Sequence, residues 1–77
     1  MKYILTLEVL DNSGNQVEKT NSIKESDKSL TVGELKQLMN NGKYTNIESD
    51  EFNHHGKDLA DNELVNLPFI HYTIKLK

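Results

Sequence analysis

The chain contains no cysteine. That excludes a disulfide staple, a thiolate zinc site and a cysteine nucleophile. Arginine is missing too, all nine basic residues being lysines. Arginine is the side chain suited to two-pronged grips on phosphate, carboxylate or guanine, so its absence disfavours a phosphate-reading role. The formal net charge of -3 also works against a nucleic-acid backbone as partner. No apolar run approaches the roughly 20 residues that span a bilayer. Met1-Lys2-Tyr3 leads into alternating residues, which is no signal-peptide pattern. These absences leave an expectation of a soluble, cytoplasmic, monomeric domain with no nucleic acid, no membrane and no cofactor. With 77 residues, a domain hides only about 60% of the surface of its unfolded chain. One unit over residues 1–77, with a single efficient core, is therefore expected.

The residues present are patterned clearly at both ends. Tyr3, Leu5, Leu7 and Val9 alternate with Ile4, Thr6, Glu8 and Leu10, the period of a half-buried strand with its odd residues inward. Asp11-Asn12-Ser13-Gly14-Asn15 supplies turn residues. A hairpin return through Val17–Thr20 follows, with Val17 and Ile23 as its core candidates. Thr31 with Glu34 three residues later forms a capping box, and Leu30 with Leu35 has the spacing of a hydrophobic staple. Val32, Leu35, Leu38 and Met39 make one apolar stripe. Asn40-Asn41-Gly42 ends the helix, with Gly42 free to turn left-handed. Asp50–His54 is expected to be a short strand with Phe52 inward, turned at Gly56. Leu64, Leu67 and Phe69 are spaced for a tight turn ended by Pro68. Tyr72, Ile74 and Leu76 form a closing strand. The order predicts an α+β fold, a mixed four- to five-stranded sheet with one short helix packed across one face.

At this level the chain resembles the ubiquitin-like β-grasp family. The resemblance rests on the opening hairpin and on Leu30-Thr31-Val32-Gly33-Glu34-Leu35-Lys36, similar to the family's Thr-Val-x-x-Leu-Lys helix start. It continues through Phe52-Asn53-His54-His55-Gly56-Lys57-Asp58-Leu59, the acidic Ala60–Leu64 loop before the family's buried leucine, and the last strand. It implies a β-grasp fold and a role in protein recognition. Two departures bear on that role. The chain closes on Lys75-Leu76-Lys77 where conjugated members carry Gly-Gly. Asn53 and Lys75 stand where ubiquitin presents the centre of its apolar patch, so receptors of that patch are not expected to bind.

Chemistry is sparse. His54, His55 and His71 with Asp50 and Asp58 are the one cluster suggestive of a metal, but adjacent strand residues point to opposite faces. Solvated polar side chains are the expected reading, with no metal. The serines lack a strand-turn-helix nucleophile context, and Gly14, Gly33, Gly42 and Gly56 are isolated rather than a phosphate loop. Gly33, in the first helical turn, is read as close packing or weak helix propensity rather than a ligand position. The expectation is a non-catalytic ubiquitin-like module that binds another protein. Its candidate contact residues are Ile4 and Leu10 on the open face of the first strand, with Asn53, His54, Lys57 and Lys75. The second strand, with Lys19, Lys24 and Lys28, is read as a sheet edge. Two alternatives are a modifier whose Gly-Gly tail is absent from this chain, and a small bacterial or phage accessory or inhibitor protein on a β-grasp scaffold.

Overall fold

Alternation at the N-terminus produces a strand whose odd residues floor the core. In the computed structural model, which describes residues 1–54 and 56–77, β1 (Lys2–Leu10) buries Tyr3, Leu5, Leu7 and Val9. The turn after it is organised by Asp11, whose Oδ1 accepts from the amides of Ser13 and Asn15, each at 2.9 Å. The return strand β2 (Gln16–Glu25) pairs antiparallel with β1. Later come β4 (Ile47–His54), the two-residue β5 (Lys57–Asp58) and β7 (Phe69–Leu76). Together they form a mixed five-stranded sheet ordered β2-β1-β7-β4-β5, with β1 and β7 parallel. A small second sheet pairs β3 (Leu30–Thr31) with β6 (Leu64–Val65). One short helix, α1 (Val32–Asn40), packs across the main sheet. The fold is α+β and β-grasp-like.

The helix starts where its chemistry dictates. Thr31 Oγ1 accepts from the Glu34 amide at 3.2 Å, while the Glu34 carboxylate accepts from the Thr31 amide at 3.0 Å. An N-cap hydroxyl of this kind contributes about 1 kcal/mol. The two preceding helical amides are satisfied across the fold, Val32 by the Glu63 carbonyl at 2.9 Å and Gly33 by the Asp61 carbonyl at 3.0 Å. A Cβ at position 33 would stand 3.4 Å from that same Asp61 oxygen, an ordinary contact distance, so the close approach of the loop does not itself require glycine there. The helix stops at Asn41 and Gly42, both with positive φ (50° and 73°).

Four sequence expectations are corrected. Leu38 is 44% exposed, because it lies about 100° round the helix from Met39, and the line that meets the sheet is Val32, Leu35 and Met39. Val17 and Ile23 are 53% and 61% exposed rather than core. Val17 is the extra residue of a bulge where pairing shifts between Val9 and Leu10, and Ile23 stands opposite outward-facing Ile4. Where the resemblance implies a buried leucine after the acidic loop, the buried residue is Val65, which pairs with buried Leu30, while Leu64 and Leu67 are exposed. Leu64, Leu67 and Phe69 form no tight turn; they sit exposed on β6, its exit and the start of β7.

Although β2 is otherwise exposed along its length, Glu18 anchors it. Its carboxylate accepts from Lys43 Nζ at 2.8 Å, from the Tyr44 hydroxyl, and from Thr20 Oγ1 at 2.9 Å. The Lys43 hydrogen bond, then those of Tyr44 and Thr20, hold its pKa down at about 2 against an ordinary 4.5. A folded-state pKa below the unfolded one stabilises the fold above the unfolded value, and that contribution disappears as pH falls through the folded value. Glu18→Gln is therefore expected to destabilise the domain at neutral pH, with the difference from wild type shrinking between pH 4.5 and about 2. Thermal melts at stepped pH measure this; a difference that stays constant across the window contradicts it.

Candidate functional site

Cross-strand register decides which side chains share the uncovered face of the sheet, because residues directly opposite one another project to the same side. The buried residues of β1 define the covered side, so Ile4, Thr6, Glu8 and Leu10 project the other way. Ile4 stands opposite Ile23 of β2 on one flank and Phe69 of β7 on the other. Ile23 and Phe69 are 61% and 56% exposed and Ile4 is half-buried between them, which makes an apolar row across three strands. The next row is polar: Asn21, Thr6, His71 and Asn53. The third is Lys19, Glu8, Thr73 and Glu51, and the fourth is Gln16, Leu10, Lys75 and Ser49.

The polar rows are tied within the face. Thr6 Oγ1 donates to Asn21 Oδ1 at 2.9 Å, His71 Nε2 lies 3.1 Å from Glu8 Oε1, and Asn53 Nδ2 donates to Glu51 at 2.9 Å. Lys75 pairs with Glu48 at 3.3 Å. Between the apolar row and the first polar row lies a shallow depression of about 320 Å3 that includes Ile4, Phe69, His71 and Asn53. It is an open dish, the shape of a contact surface rather than of an enclosed ligand site.

The candidate residues therefore divide. Ile4 and Leu10 share a face but not a patch. A rise of six residue steps along the strand separates them by about 20 Å, with Thr6 and Glu8 between on the same face. Leu10 sits instead beside Lys75 at the far end. Asn53 is on the open face next to His71. His54 and Lys57 pair with each other across β4 and β5 and project to the opposite side. There they border a second cleft of about 320 Å3 with Leu59, Leu64 and Leu67. His54 Nδ1 lies 2.6 Å from the Phe69 carbonyl. Ile23 and Phe69 entered the sequence reading as a core residue and a turn residue. Their role emerges from the register with Ile4, and no local pattern in β2 or in residues 64–69 carries that signal.

On the covered side a polar cluster links the helix to the sheet. Lys36 Nζ contacts Asp61 at 2.8 Å and Asp50 at 3.1 Å, and Asp50 also accepts from the Tyr72 hydroxyl at 2.7 Å. Burial raises the Tyr72 pKa, and the Asp50 hydrogen bond adds to it. Burial alone would lower the Lys36 pKa, but the hydrogen bonds to Asp61 and Asp50 outweigh it and the net shift is upward. Each group answers another, so the cluster reads as a tether. Among the described residues no buried side-chain polar atom lacks a partner. No group of three or more His, Asp or Glu among them is placed to hold a metal. Asp50 is engaged by Lys36 and Tyr72, and His71 by Glu8; His55 lies outside the described residues. Among the described residues no helix is long and apolar enough to cross a membrane.

No protein-family model, curated protein or solved structure matches this chain.

Proposed function

We propose that this chain is a non-catalytic, ubiquitin-like module that binds another protein through the uncovered face of its sheet. The observation that carries the reading is the apolar row Ile23, Ile4 and Phe69, three neighbouring side chains bordered by a polar row on a face whose one other apolar strand residue, Leu10, lies at the far end. Apolar residues ringed by polar ones are the composition of a protein contact surface, where a few large side chains supply most of the energy. Phe69, the largest of the three and over half exposed, is the natural anchor. Asn53 and the His71–Glu8 pair supply a hydrogen-bonding rim. Lys75 and Leu10 lie too far along the strands to belong to the same contact, and His54 and Lys57 face away from it.

The test is crosslinking capture from native lysate with the wild-type chain beside Ile4→Asp and Phe69→Asp. Each substitution forces a carboxylate into the contact, and a partner is expected to bind at least about tenfold more weakly. The melting temperature of Phe69→Asp should change little, since that side chain is over half exposed on the outer face. A partner retained undiminished by both variants rules out this face. Hydrolase or transferase turnover by the purified protein rules out the non-catalytic reading.

A further inference from the structure

The two edges of the sheet are unlike. At one end the two-residue β5 covers only Asn53 and His54 of β4; at the other β2 offers ten residues, exposed along most of their length. The phase of the β1–β2 ladder shows which backbone groups of β2 are free. Ser26 donates to the Met1 carbonyl at 2.8 Å and its own carbonyl accepts from the Met1 amino group, so these two residues form a mutually bonded pair. Counting back in register, Lys24, Ser22, Thr20 and Glu18 point their amides and carbonyls at β1. Those of Lys19, Asn21, Ile23 and Glu25 point outward from the edge. An antiparallel partner strand must meet this set with its own outward set. When the partner is a second β2, only registers that pair odd residues with odd residues are in phase.

We propose that two copies of this chain associate through their β2 edges, antiparallel about a two-fold axis at Ser22, joining the two sheets into one. In this register Lys19 faces Glu25 of the second copy, Asn21 faces its Ile23, and both relations repeat across the axis. All four outward residues of each strand are then hydrogen-bonded within the observed strand limits. The charges agree with this placement. Lys19 and Glu25 are the charged members of the outward set, and neither makes an ion pair among the described residues, unlike Glu18, which is held by Lys43. A parallel alignment of the two strands would instead set Lys19 against Lys19 and Glu25 against Glu25. The contact is isologous, so it closes at two copies. The two Ile23 side chains become diagonal neighbours on the open face, within reach of one another. The arrangement replaces the expected monomer by a dimer, and it does not depend on the open face having a protein partner.

The experiment is sedimentation equilibrium and light scattering on the full chain from micromolar to millimolar concentration, with amide hydrogen exchange on the same samples. The expected mass rises toward twice the 8.8 kDa of the chain. Amides of Lys19, Asn21, Ile23 and Glu25 become protected as it rises. Asn21→Pro removes one outward amide without touching the β1 ladder and should abolish the dimer. Lys19→Glu or Glu25→Lys alone sets like charges opposite one another twice and should weaken association by about tenfold. The double variant restores opposite charges across the axis and should recover it. It keeps the intrachain like-charge contacts with Glu8 and Lys2, which separates association from monomer stability. A chain that stays monomeric to millimolar concentration overturns the proposal. So does a dimer that survives Asn21→Pro, or whose concentration-dependent protection lies elsewhere. Phe69→Asp is expected to leave the dimer intact, so failure here and failure of the open-face reading are distinguishable.

Discussion

Phe52→Ala is expected to leave the domain largely unfolded or melting some 12–40 °C lower, roughly what a core loss of about 3–5 kcal/mol produces in a domain this small. The side chain is fully buried on β4, opposite Tyr72 of β7, with ring centroids 6.0 Å apart and planes tilted by 50°. Tyr72 in turn lies beside Leu7 of β1, so Phe52 links the β4 side of the sheet to the central strands. Truncation removes the contacts of the ring and leaves a cavity that β4, paired along most of its length, cannot easily close. Total stability of a chain this size is on the order of 4–11 kcal/mol, so the loss is a large fraction of it. The other phenylalanine of the chain, Phe69, is 56% exposed on the opposite face. Phe69→Ala should stay within about 0.5 kcal/mol of wild type. Thermal and urea unfolding of the two variants side by side measure the contrast. Equal losses would mean that the inward and outward faces of the sheet are assigned wrongly.

Tyr3→Phe should cost more than the removal of a single surface oxygen suggests. The Tyr3 hydroxyl donates to the Val65 carbonyl and accepts from the Leu30 amide, both at 2.8 Å and both buried. It thereby ties β1 to the paired strands β3 and β6, and Leu30 is the residue that precedes the helix cap. Phenylalanine keeps the ring and its packing but strands one carbonyl and one amide away from water. Each such group costs about 1–3 kcal/mol, so a loss of about 2–4 kcal/mol and a fall in melting temperature of roughly 8–30 °C are expected. Amide exchange gives a local readout: Leu30 should exchange much faster in the variant than in the wild type. A variant as stable as wild type, with Leu30 still protected, would show that the hydroxyl does not hold the two sheets together.

Local chemistry explains why some elements were legible in advance. The capping box at Thr31 and Glu34 and the odd-residue face of β1 each arise within a few consecutive residues. The inward position of Phe52 and the edge position of β2 followed from the same short-range patterning. The failures share a cause. Lys19, Asn21, Ile23 and Glu25 alternate with Glu18, Thr20, Ser22 and Lys24, and neither set is apolar, so nothing within β2 says which way Ile23 points. Its direction is inherited from pairing with Ile4. Leu64 outranks Val65 in size, yet Val65 is buried because the register with Leu30 turns it inward. The Tyr3 hydroxyl bridge joins residues 62 positions apart in the chain, and the Asp61 carbonyl that closes on Gly33 is equally remote from any local pattern.

By itself the sequence determined the opening hairpin, the helix and its start, the buried side of β1 and the exclusion of cysteine chemistry. Those properties depend on backbone preference and on the solvation of neighbouring side chains, which act over a few residues. Tertiary structure alone decided that Ile4 keeps company with Ile23 and Phe69 rather than with Leu10, and that the free amides of β2 belong to Lys19, Asn21, Ile23 and Glu25. Both are consequences of strand register. Register is set by how buried faces and turns fit together across the whole domain, and one residue of slip would send every one of these side chains to the other face.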